Sequence, residues 1–298
     1  MKPLLLVLLV VIASGAMAAP RLTVLDVGEG QAVLLHEGGR GILIDTGHPG
    51  MARHVLQRLS ALGVEQLDYL ILTHLHPDHA GGYFRLREQF PEAVLLYTGH
   101  PLPPDVRPDL TRWLNQAVMA DTRYRRFLAG DTLRWRGATL EALWPTSFSD
   151  ANLNRHSLVL MIRYRGVRLL LMGDADVAVE RALLERGRLS GPVDLLVAGH
   201  HGAGDATSEG FLAAIRPGYA VISVNSDNIR GYPAAAVVER LERSAGRLLR
   251  TDRDGELQFL LVCPPSPENV RCRIELSKAG EKAPTKQCCG EPPVPGLQ

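Results

Sequence analysis

The sequence of 298 residues predicts a layered α/β protein, and three observations indicate this class. Short strand-like runs separated by glycine turns come first and favour antiparallel pairing. Strand-like and helix-like segments alternate in the second half. Ligand-type side chains directly follow apolar strand-like runs. This order is typical of helices layered on sheets around one or two buried cores, with a site at the strand ends.

The predicted elements follow hydrophobic periodicity and glycine stops. The first part has strands at 21–27, 31–36 and 41–44, a helix at 52–62, a strand at 67–72, a helix at 83–90 and a strand at 93–97. The region 101–126 is proline-rich, then helical, and is predicted to cover the core. Two or three strands lie within 127–144, and a hairpin joins 157–164 to 167–172. The second part has helices at 178–186, 208–215 and 234–244, alternating with strands at 193–198, 219–224, 247–251 and 256–262.

The most informative segment is T-H-L-H-P-D-H-A-G-G at residues 73–82. His74, His76, Asp78 and His79 follow the apolar run 67–72 directly. Imidazole and carboxylate groups suit Zn²⁺ and similar ions. A tight loop at the end of a buried strand can aim all four side chains into one cavity, so this segment predicts a metal site.

Two further strand ends carry ligand-type residues. Asp174 ends the run L-L-L-M-G-D, where a carboxylate could bridge two ions; alternatively, Asp174 or Asp176 caps the helix that follows. His200 and His201 lie in a glycine-flanked turn after another apolar run. One of them could bind metal or act as a general acid, or both could be exposed loop residues.

Two glycine-rich segments follow early strands, D-V-G-E-G-Q-A at residues 26–32 and D-T-G-H at residues 45–48. Asp45 and His48 are candidates for groups that orient the metal ligands. The G-x-G of the first segment does not predict a dinucleotide site, because no helix follows it.

The loop 73–82 resembles the H-x-H-x-D-H motif of the metallo-β-lactamase superfamily. Within it the chain is most similar to the hydrolase domain of ComEC-type competence proteins. Matching segments occur in order at 25–32, 44–47, 73–82, 154–160, 170–174, 200–202, 220–223 and 250–255. The resemblance implies a four-layer αββα sandwich with a dinuclear metal site.

By this resemblance His74 and His76 hold the first ion, Asp78 and His79 hold the second, and Asp174 bridges them. The third ligand of the first ion is open between His156 and Asn154. ComEC-type chains often carry N-x-Y-G-H-P, whereas this chain has N-I-R-G-Y-P at residues 228–233. Tyr232 therefore stands where a histidine is expected, and His201 or His200 could replace it.

The N-terminus predicts export. Residues 1–3 form a short positive region, 4–12 are apolar, and A-M-A at 16–18 fits a cleavage site. Residues 1–18 are therefore predicted to be a signal peptide, too short for a stable membrane span. The sequence predicts a free-standing periplasmic or secreted hydrolase domain at 19–262, without a transmembrane domain after cleavage.

All four cysteines lie near the C-terminus, which agrees with an oxidising compartment. Cys263 and Cys272 flank a proline-rich loop that a disulfide could close, while Cys288 and Cys289 could bridge each other or pair elsewhere. Residues 263–298 are predicted to be a Cys/Pro-rich extension, largely disordered after 277.

The charge of the chain does not identify a class of binding partner. The formal net charge is +1, so no global field marks a nucleic-acid binder. Arginines are dense between Arg107 and Arg136 and could form a basic rim for an anionic substrate or a solvated surface. These arginines are Arg112, Arg123, Arg125, Arg126 and Arg134. The oligomeric state is not encoded in any pattern.

These features predict an exported metal-dependent hydrolase, with two Zn²⁺ ions per chain or Mn²⁺ in their place. Asp78 and His201 are the predicted catalytic residues: Asp78 accepts a proton or orients the nucleophile, and His201 or Tyr232 stabilises the departing oxygen. The predicted substrate is DNA or another phosphodiester. The alternatives are a small ester, lactone or lactam, and a non-catalytic metal- or DNA-binding module of an uptake system.

Overall fold

Two mixed β-sheets of eight and seven strands face each other in the computed structural model, which describes residues 19–102, 109–149, 152–264 and 271–277. In spatial order, the first sheet consists of β15 (Arg273–Ser277), β14 (Leu257–Val262), β1 (Arg21–Val24), β2 (Val33–Glu37), β3 (Arg40–Ile44), β4 (Gln66–Leu72), β5 (Val94–Tyr97) and β6 (Tyr124–Arg126). The second consists of β13 (Arg247–Arg250), β12 (Tyr219–Ile222), β11 (Leu195–Val197), β10 (Val167–Leu171), β9 (Val159–Tyr164), β8 (Ala138–Trp144) and β7 (Thr132–Trp135).

Helices cover the outer face of each sheet. They are α1 (Ala52–Ala61), α2 (Pro77–Ala80), α3 (Tyr83–Gln89), α4 (Leu110–Ala120), α5 (Val177–Glu185), α6 (Glu209–Ile215), α7 (Ala235–Ser244) and α8 (Thr251–Asp254). Helices α1, α3 and α4 pack on the first sheet, and α5, α6 and α7 pack on the second. Two short 3-10 helices lie at Pro49–Met51 and Gly199–Gly202.

The strands are apolar on both faces, and this divides the interior into three cores. Leu35 and Leu169 point between the sheets, whereas their neighbours Leu34 and Leu170 point to the helices outside. Successive side chains of a strand face opposite sides, so a continuous apolar run requires a packing partner on each side. The result is the four-layer αββα sandwich that the family resemblance implied.

Each sheet contains four neighbouring parallel strands, and the carboxyl ends of these strands lie at the same edge of the sheet. Strands β3, β4, β5 and β6 are parallel neighbours in the first sheet. Strands β10, β11, β12 and β13 are parallel neighbours in the second. Side chains that directly follow these strands can therefore meet outside the carboxyl ends of the strands, where open α/β sheets place their ligands.

Three of the differences between the structure and the sequence-based elements change the strands at the sheet edges. Residues 124–126 form β6 rather than the end of a helix, and they extend the first sheet. Residues 251–254 form the short helix α8, so β13 ends at Arg250 rather than at residue 251. Arg273–Ser277, in the stretch assigned to the extension, forms β15 and pairs antiparallel with β14. The predicted hairpin of β9 and β10 is confirmed, with Tyr164 opposite Val167.

The disulfide between Cys263 and Cys272 is confirmed, and it joins the end of β14 to the start of β15. The predicted signal peptide and the predicted disorder after 277 lie outside the described residues, as do Cys288 and Cys289. Within the described ranges, no helix is both long and apolar enough to cross a bilayer.

Candidate metal centre

Two groups of donor atoms at this edge are close enough to hold metal ions. The first group is His74, His79 and Asp174, and the second is Asp78, His79 and His201. Within each group the donor atoms all lie within 4.8 Å of one another, and all five residues are buried. His79 belongs to both groups, so the two sites would be adjacent.

The strands explain why these residues meet. His74 and His79 lie in the segment after β4, which includes α2, and Asp174 follows β10. His201 follows β11 in the neighbouring 3-10 helix. The first sheet supplies the H-x-H-x-D-H segment and the second sheet supplies Asp174 and His201, so the site lies between the two halves of the sandwich.

The donor atoms leave a place that a cation would fill. Nε2 of His79 and Nε2 of His201 are 3.1 Å apart. Each ring is bonded through Nδ1: His79 to the carboxylate of Asp45 at 2.7 Å, and His201 to the carbonyl of Ser223 at 2.9 Å. Because both acceptors require an Nδ1–H, the neutral rings turn two lone pairs toward each other. This contact is repulsive unless a proton or a metal cation lies between the nitrogens.

The carboxylates support the same conclusion. Oδ2 of Asp78 and Oδ1 of Asp174 are buried, and neither accepts a hydrogen bond of acceptable geometry from the described residues. Oδ1 of Asp174 lies 3.0 Å from Nε2 of His79 and 3.4 Å from Nε2 of His201. Buried carboxylate oxygens without such partners are costly unless they bind a cation. The nitrogen and oxygen donors fit zinc and similar divalent ions.

A second layer of polar groups fixes the rings. The buried Asp45 accepts hydrogen bonds from the backbone N–H and hydroxyl of Thr73, both at 2.8 Å, and from the amide of Gln31 at 3.0 Å, besides bonding His79. The hydroxyl of Ser157 lies 3.0 Å from Nδ1 of His74 and accepts the backbone N–H of Asp174. Such partners set the ring orientation and raise the basicity of the ligand.

The backbone around His201 is held in an uncommon conformation. His200 and His201 have φ values of 49° and 52°. Left-handed backbone is unfavourable for residues other than glycine, so the surrounding structure must maintain it. The backbone N–H of His200 donates to the carbonyl of Gly173 at 3.0 Å, and the N–H of Ala203 donates to the carbonyl of His200 at 2.8 Å. The first bond attaches the turn to the segment that carries Asp174, and the second closes the turn itself.

Gly30 shows why the first glycine-rich segment is needed. Its φ is +115°, and a Cβ at this position would lie 2.0 Å from the carbonyl oxygen of Asp78. The N–H of Gln31 donates to that same carbonyl at 3.1 Å, and the hydroxyl of Ser223 donates to the carbonyl of Gly30 at 2.8 Å. The segment thus packs directly beneath α2 and links it to the second sheet.

The electrostatics keep the carboxylates charged. Burial alone would raise the pKa of Asp174, but the adjacent His79, His201 and His74 hold it well below its usual value. Burial would likewise raise the pKa of Asp78, but His201 and His79 hold it far below the usual range. Both acidic groups are therefore present as carboxylates, the form that binds metal.

The histidines divide into two kinds. Burial lowers the pKa of His74 well below its usual value and also lowers the pKa of His76, which favours the neutral, metal-binding form. Burial acts in the same direction on His79, but Asp174 and Asp45 raise its pKa well above the usual value. Burial would also lower the pKa of His201, but the adjacent Asp174 and Asp78 raise it above its usual value. The acidic partners therefore favour a positive charge, either a proton or a bound cation, where the two donor groups meet.

Residues 25–226 match the model of the metallo-beta-lactamase superfamily. This chain belongs to that superfamily. It is 34% identical to Competence protein ComA of Neisseria gonorrhoeae over 240 residues, covering 80% of this chain and 32% of that protein. It is 30% identical to ComE operon protein 3 of Bacillus subtilis over 255 residues, covering 79% of this chain and 32% of that protein. The resemblance to ComEC-type competence proteins is confirmed.

The aligned part of this chain spans about a third of the length of these relatives. Among solved structures, the chain resembles the metallo-beta-lactamase fold protein YhfI from Bacillus subtilis. The TM-score is 0.52 at 15% identity, over 78% of this chain and 96% of that one. At this identity the likeness shows the fold alone, and it agrees with the two sheets and four layers described above.

The structure brings together five of the six predicted metal-binding residues. The sixth, His76, is half-buried beside the first group, with its Nδ1 3.1 Å from Nε2 of His74. It lies outside both groups, and its role as a ligand stays a prediction. Asp176, not Asp174, caps α5, since its side chain accepts the N–H groups of Ala178 and Val179.

Of the two candidates for the third ligand of the first ion, His156 joins neither donor group, and Asn154 contacts His200 instead. The ring of His156 stacks on His100 with centroids 4.6 Å apart and contacts Phe148, while the next residue, Ser157, takes the place beside His74. The side chains of these adjacent residues point in different directions, so Ser157 faces the first donor group whereas His156 faces away from it. Nδ2 of Asn154 lies 3.1 Å from Nε2 of His200.

His200 and Tyr232 lie beside the centre rather than in it. Nδ1 of His200 is 3.0 Å from Asp205, and its ring contacts that of Tyr232 edge-on with centroids 5.4 Å apart. The prediction that one histidine of the pair reaches the site therefore applies to His201. His48, predicted to orient ligands, is instead exposed and caps the 3-10 helix Pro49–Met51 by accepting the N–H of Gly50.

Sequence reasoning missed Gln31, Thr73, Ser157 and Ser223 as orienting groups. All four lie within segments that carry the family resemblance, which was the only available signal. Two of the described arginines of 107–136 have local partners: Arg123 pairs with Glu92, and Arg126 donates to the carbonyl of Thr98 at 3.2 Å.

Proposed function

We propose that this chain is an exported metal-dependent hydrolase that cleaves phosphodiester bonds, with nucleic acid as its substrate class. The observation that carries the hydrolase part is the pair of donor groups that share His79. Two divalent ions held by adjacent groups suit in-line displacement at phosphorus, where both the attacking and the leaving oxygen need stabilisation.

The ligands would divide between the two sheets. His74, His79 and Asp174 would hold one ion, and Asp78, His79 and His201 the other. When bound, a zinc ion lowers the pKa of water from about 15.7 to about 7, so that hydroxide is available at neutral pH. Asp45 and Ser223 fix the Nδ1–H tautomers of His79 and His201, which leaves both Nε2 atoms free to bind.

Asp78 and His201 also have the positions expected of catalytic groups. Oδ2 of Asp78 lies 3.6 Å from Nε2 of His201, and both side chains are buried at the same edge. Oδ2 would hold the second ion, and the other carboxylate oxygen of Asp78 can accept a proton from the attacking water. With Nδ1 of His201 bonded to the carbonyl of Ser223 and Nε2 available to hold the second ion, His201 would act on the departing oxygen through that ion.

Two observations support the substrate class and the location. The related proteins bear the names Competence protein ComA and Recombination protein 2, both of which refer to processes that act on DNA. The disulfide between Cys263 and Cys272 agrees with folding in an oxidising compartment, as the predicted signal peptide at 1–18 requires.

The test uses the purified protein, stripped of metal by a chelator and reloaded with Zn²⁺ or Mn²⁺. It is incubated with bis-(p-nitrophenyl) phosphate, single- and double-stranded DNA, nitrocefin and a lactone. We expect metal-dependent cleavage of the phosphodiesters, lost in Asp78→Ala and in His79→Ala. Two exposed residues provide matched controls, Glu185→Ala and His48→Ala, which keep the activity.

Three outcomes would contradict the proposal. Equal turnover by the metal-stripped protein excludes a metallohydrolase. Cleavage of nitrocefin or the lactone with no phosphodiester cleavage assigns the smaller substrates instead. DNA binding without turnover of any substrate, in protein with full metal content, indicates a non-catalytic module.

A further inference from the structure

A loop between β12 and α7 extends over the candidate metal centre, and its tip carries Arg230. The side chain of Asn228 closes this loop: its Oδ1 accepts the N–H of Tyr232 at 2.8 Å, and its Nδ2 donates to the carbonyl of Tyr232 at 2.6 Å. Nδ2 also donates to the carbonyl of Asn225 at 2.5 Å. These bonds fix the backbone on either side of Arg230, so the guanidinium has a defined place at the mouth.

Arg230 lies between two carboxylates. Its Nη1 is 3.5 Å from Oδ2 of Asp78, and its Nε is 3.3 Å from Oε1 of Glu29. Glu29 belongs to the glycine-rich segment that packs beneath α2. Both distances exceed the roughly 2.7–2.9 Å of a tight charge-assisted hydrogen bond. Among the described residues, the guanidinium makes no shorter contact, and its side chain is 46% exposed.

This arrangement leaves most of the donors of Arg230 free for an incoming group. A guanidinium presents five N–H donors in a planar fork that matches phosphate, and it stays charged at every relevant pH. The carboxylate of Asp78 also belongs to the second donor group, so an ion bound there would compete with Arg230 for it. Glu29 would then be the main anionic partner of Arg230.

We propose that Arg230 determines specificity by binding a non-bridging oxygen of the substrate phosphate, and that Glu29 holds the guanidinium at the mouth until an anion displaces it. This inference rests on the proposed phosphodiesterase function and names the residue that selects an anionic substrate. The arginines of 107–136 are not needed for it, since those described above have their own local partners.

The first test compares the metal-loaded wild type with Arg230→Gln and Arg230→Lys, with Arg243→Gln as the matched control. Arg243 is exposed on α7 and pairs with Glu239 and Glu209, away from the loop. Binding of inorganic phosphate is measured by calorimetry, and KM and kcat are measured with bis-(p-nitrophenyl) phosphate. Metal content is determined for every variant.

Loss of one charged hydrogen-bond donor typically weakens binding by roughly ten- to a hundredfold. We therefore expect Arg230→Gln to weaken phosphate binding and to raise KM about tenfold or more, with metal content unchanged. Arg230→Lys keeps the charge but not the fork, so it should lie between the wild type and Arg230→Gln. Arg243→Gln should equal the wild type.

The second test addresses Glu29. Because this carboxylate competes with the substrate for Arg230, Glu29→Gln should bind phosphate more tightly, by about two- to threefold. In an Arg230→Gln background the same change should have no effect, since Glu29 acts through the guanidinium. A double-mutant cycle separates this coupling from a general change in local charge, which would persist in that background.

The outcomes distinguish this inference from the proposed function. If the wild type cleaves no phosphodiester, the proposed function fails, and the calorimetric comparison still decides whether Arg230 binds phosphate. If Arg230→Gln binds phosphate as the wild type does, with the same metal content, the inference is overturned whatever the activity. A loss of metal in Arg230→Gln would also overturn it, because Arg230 would then support the metal centre instead.

Discussion

His79 has the most connected position of any side chain in the candidate metal centre. Its Nε2 lies 3.1 Å from His201 and 3.0 Å from Asp174, and its Nδ1 is bonded to the buried Asp45. It is the member that the two donor groups share, whereas Asp78 belongs to one group alone. The two residues therefore differ in what their removal should cost.

Replacing His79 by alanine should remove both ions, because each group then retains only two donors. Asp78→Ala should lose the second ion and keep about one ion per chain. Metal content of reloaded, desalted protein, measured by plasma mass spectrometry, distinguishes these variants. The exposed His48→Ala serves as the control. A His79→Ala protein with the wild-type metal content would refute the shared-ligand arrangement.

His36 on β2 provides a pH-dependent contribution to stability. It is buried, its ring lies 3.3 Å from the hydroxyl of Thr23, and burial together with the charge of Arg21 lowers its pKa from 6.5 to about 4. Between these values the unfolded chain binds a proton at His36 and the folded protein does not. The free energy of unfolding therefore falls as the pH falls through this range.

The expected loss from this residue is about 2 kcal/mol between pH 7 and pH 5. Urea unfolding of the wild type and of His36→Gln at both pH values measures it. The variant cannot be protonated, so its stability should decline less between the two pH values. The control His48→Gln should follow the wild type. Equal declines in the wild type and in His36→Gln would show that His36 does not bear this cost.

At the scale of secondary structure, the residues of the metal centre all lie in short segments that follow the ends of strands. Strands β4, β10 and β11 each end next to a ligand, and β3 and β12 end next to Asp45 and Ser223, which orient the rings. Because the strands in each half are parallel, all of these residues arrive at one edge. Short segments after rigid strands place a side chain more reproducibly than long loops do.

Strand β15 lies at the edge of the first sheet, where β14 is its one partner among the described strands, and the disulfide of Cys263 and Cys272 links the two. Replacing both cysteines by serine should lower the free energy of unfolding by about 2–3 kcal/mol, because the unfolded chain gains the entropy of a short open loop. Hydrogen exchange should increase mainly in β15. Phosphodiesterase activity, if present in the wild type, should remain, since this edge is not where the ligands lie.

If exchange increased equally throughout both sheets, β15 would be part of the cooperative core rather than an attached edge. The serine variant keeps Cys288 and Cys289, so mass analysis under non-reducing conditions must accompany the measurement. It shows whether those cysteines form a new pairing in the variant.

For the whole molecule, the important feature is that the donor groups join the two sheets. Each group contains His79 from the first sheet and either Asp174 or His201 from the second. An ion bound by such a group stabilises the folded state alone, because the unfolded chain does not bring the donors together.

Removal of metal by a chelator should therefore lower the melting temperature by about 5–10 °C, the shift expected when free metal exceeds its dissociation constant about a hundredfold. Adding Zn²⁺ or Mn²⁺ should restore it. His79→Ala should show no shift with chelator. A melting temperature that is independent of metal in the wild type would mean that no ion connects the two sheets.

The sequence predicted most elements because periodicity and glycine stops are local. Helix α1 and the hairpin of β9 and β10 lie within a residue or two of the predicted bounds. Strands β6 and β15 were not predicted, since each is short and forms only at a sheet edge, where a neighbouring strand supplies its hydrogen bonds. Such edge strands have no strong apolar pattern of their own.

The amino-acid sequence predicted the donor types in T-H-L-H-P-D-H, the aspartate and the histidine pair at later strand ends, and a layered α/β fold, to which the family resemblance added the number of layers. Which of these side chains meet follows from the tertiary fold. In the fold, His201 rather than His200 lies beside His79. Ser157 rather than His156 lies beside His74. Arg230 lies near Asp78 and Glu29. Donor identity is a local property of the chain, whereas these contacts join residues distant in sequence and depend on how the two sheets pack.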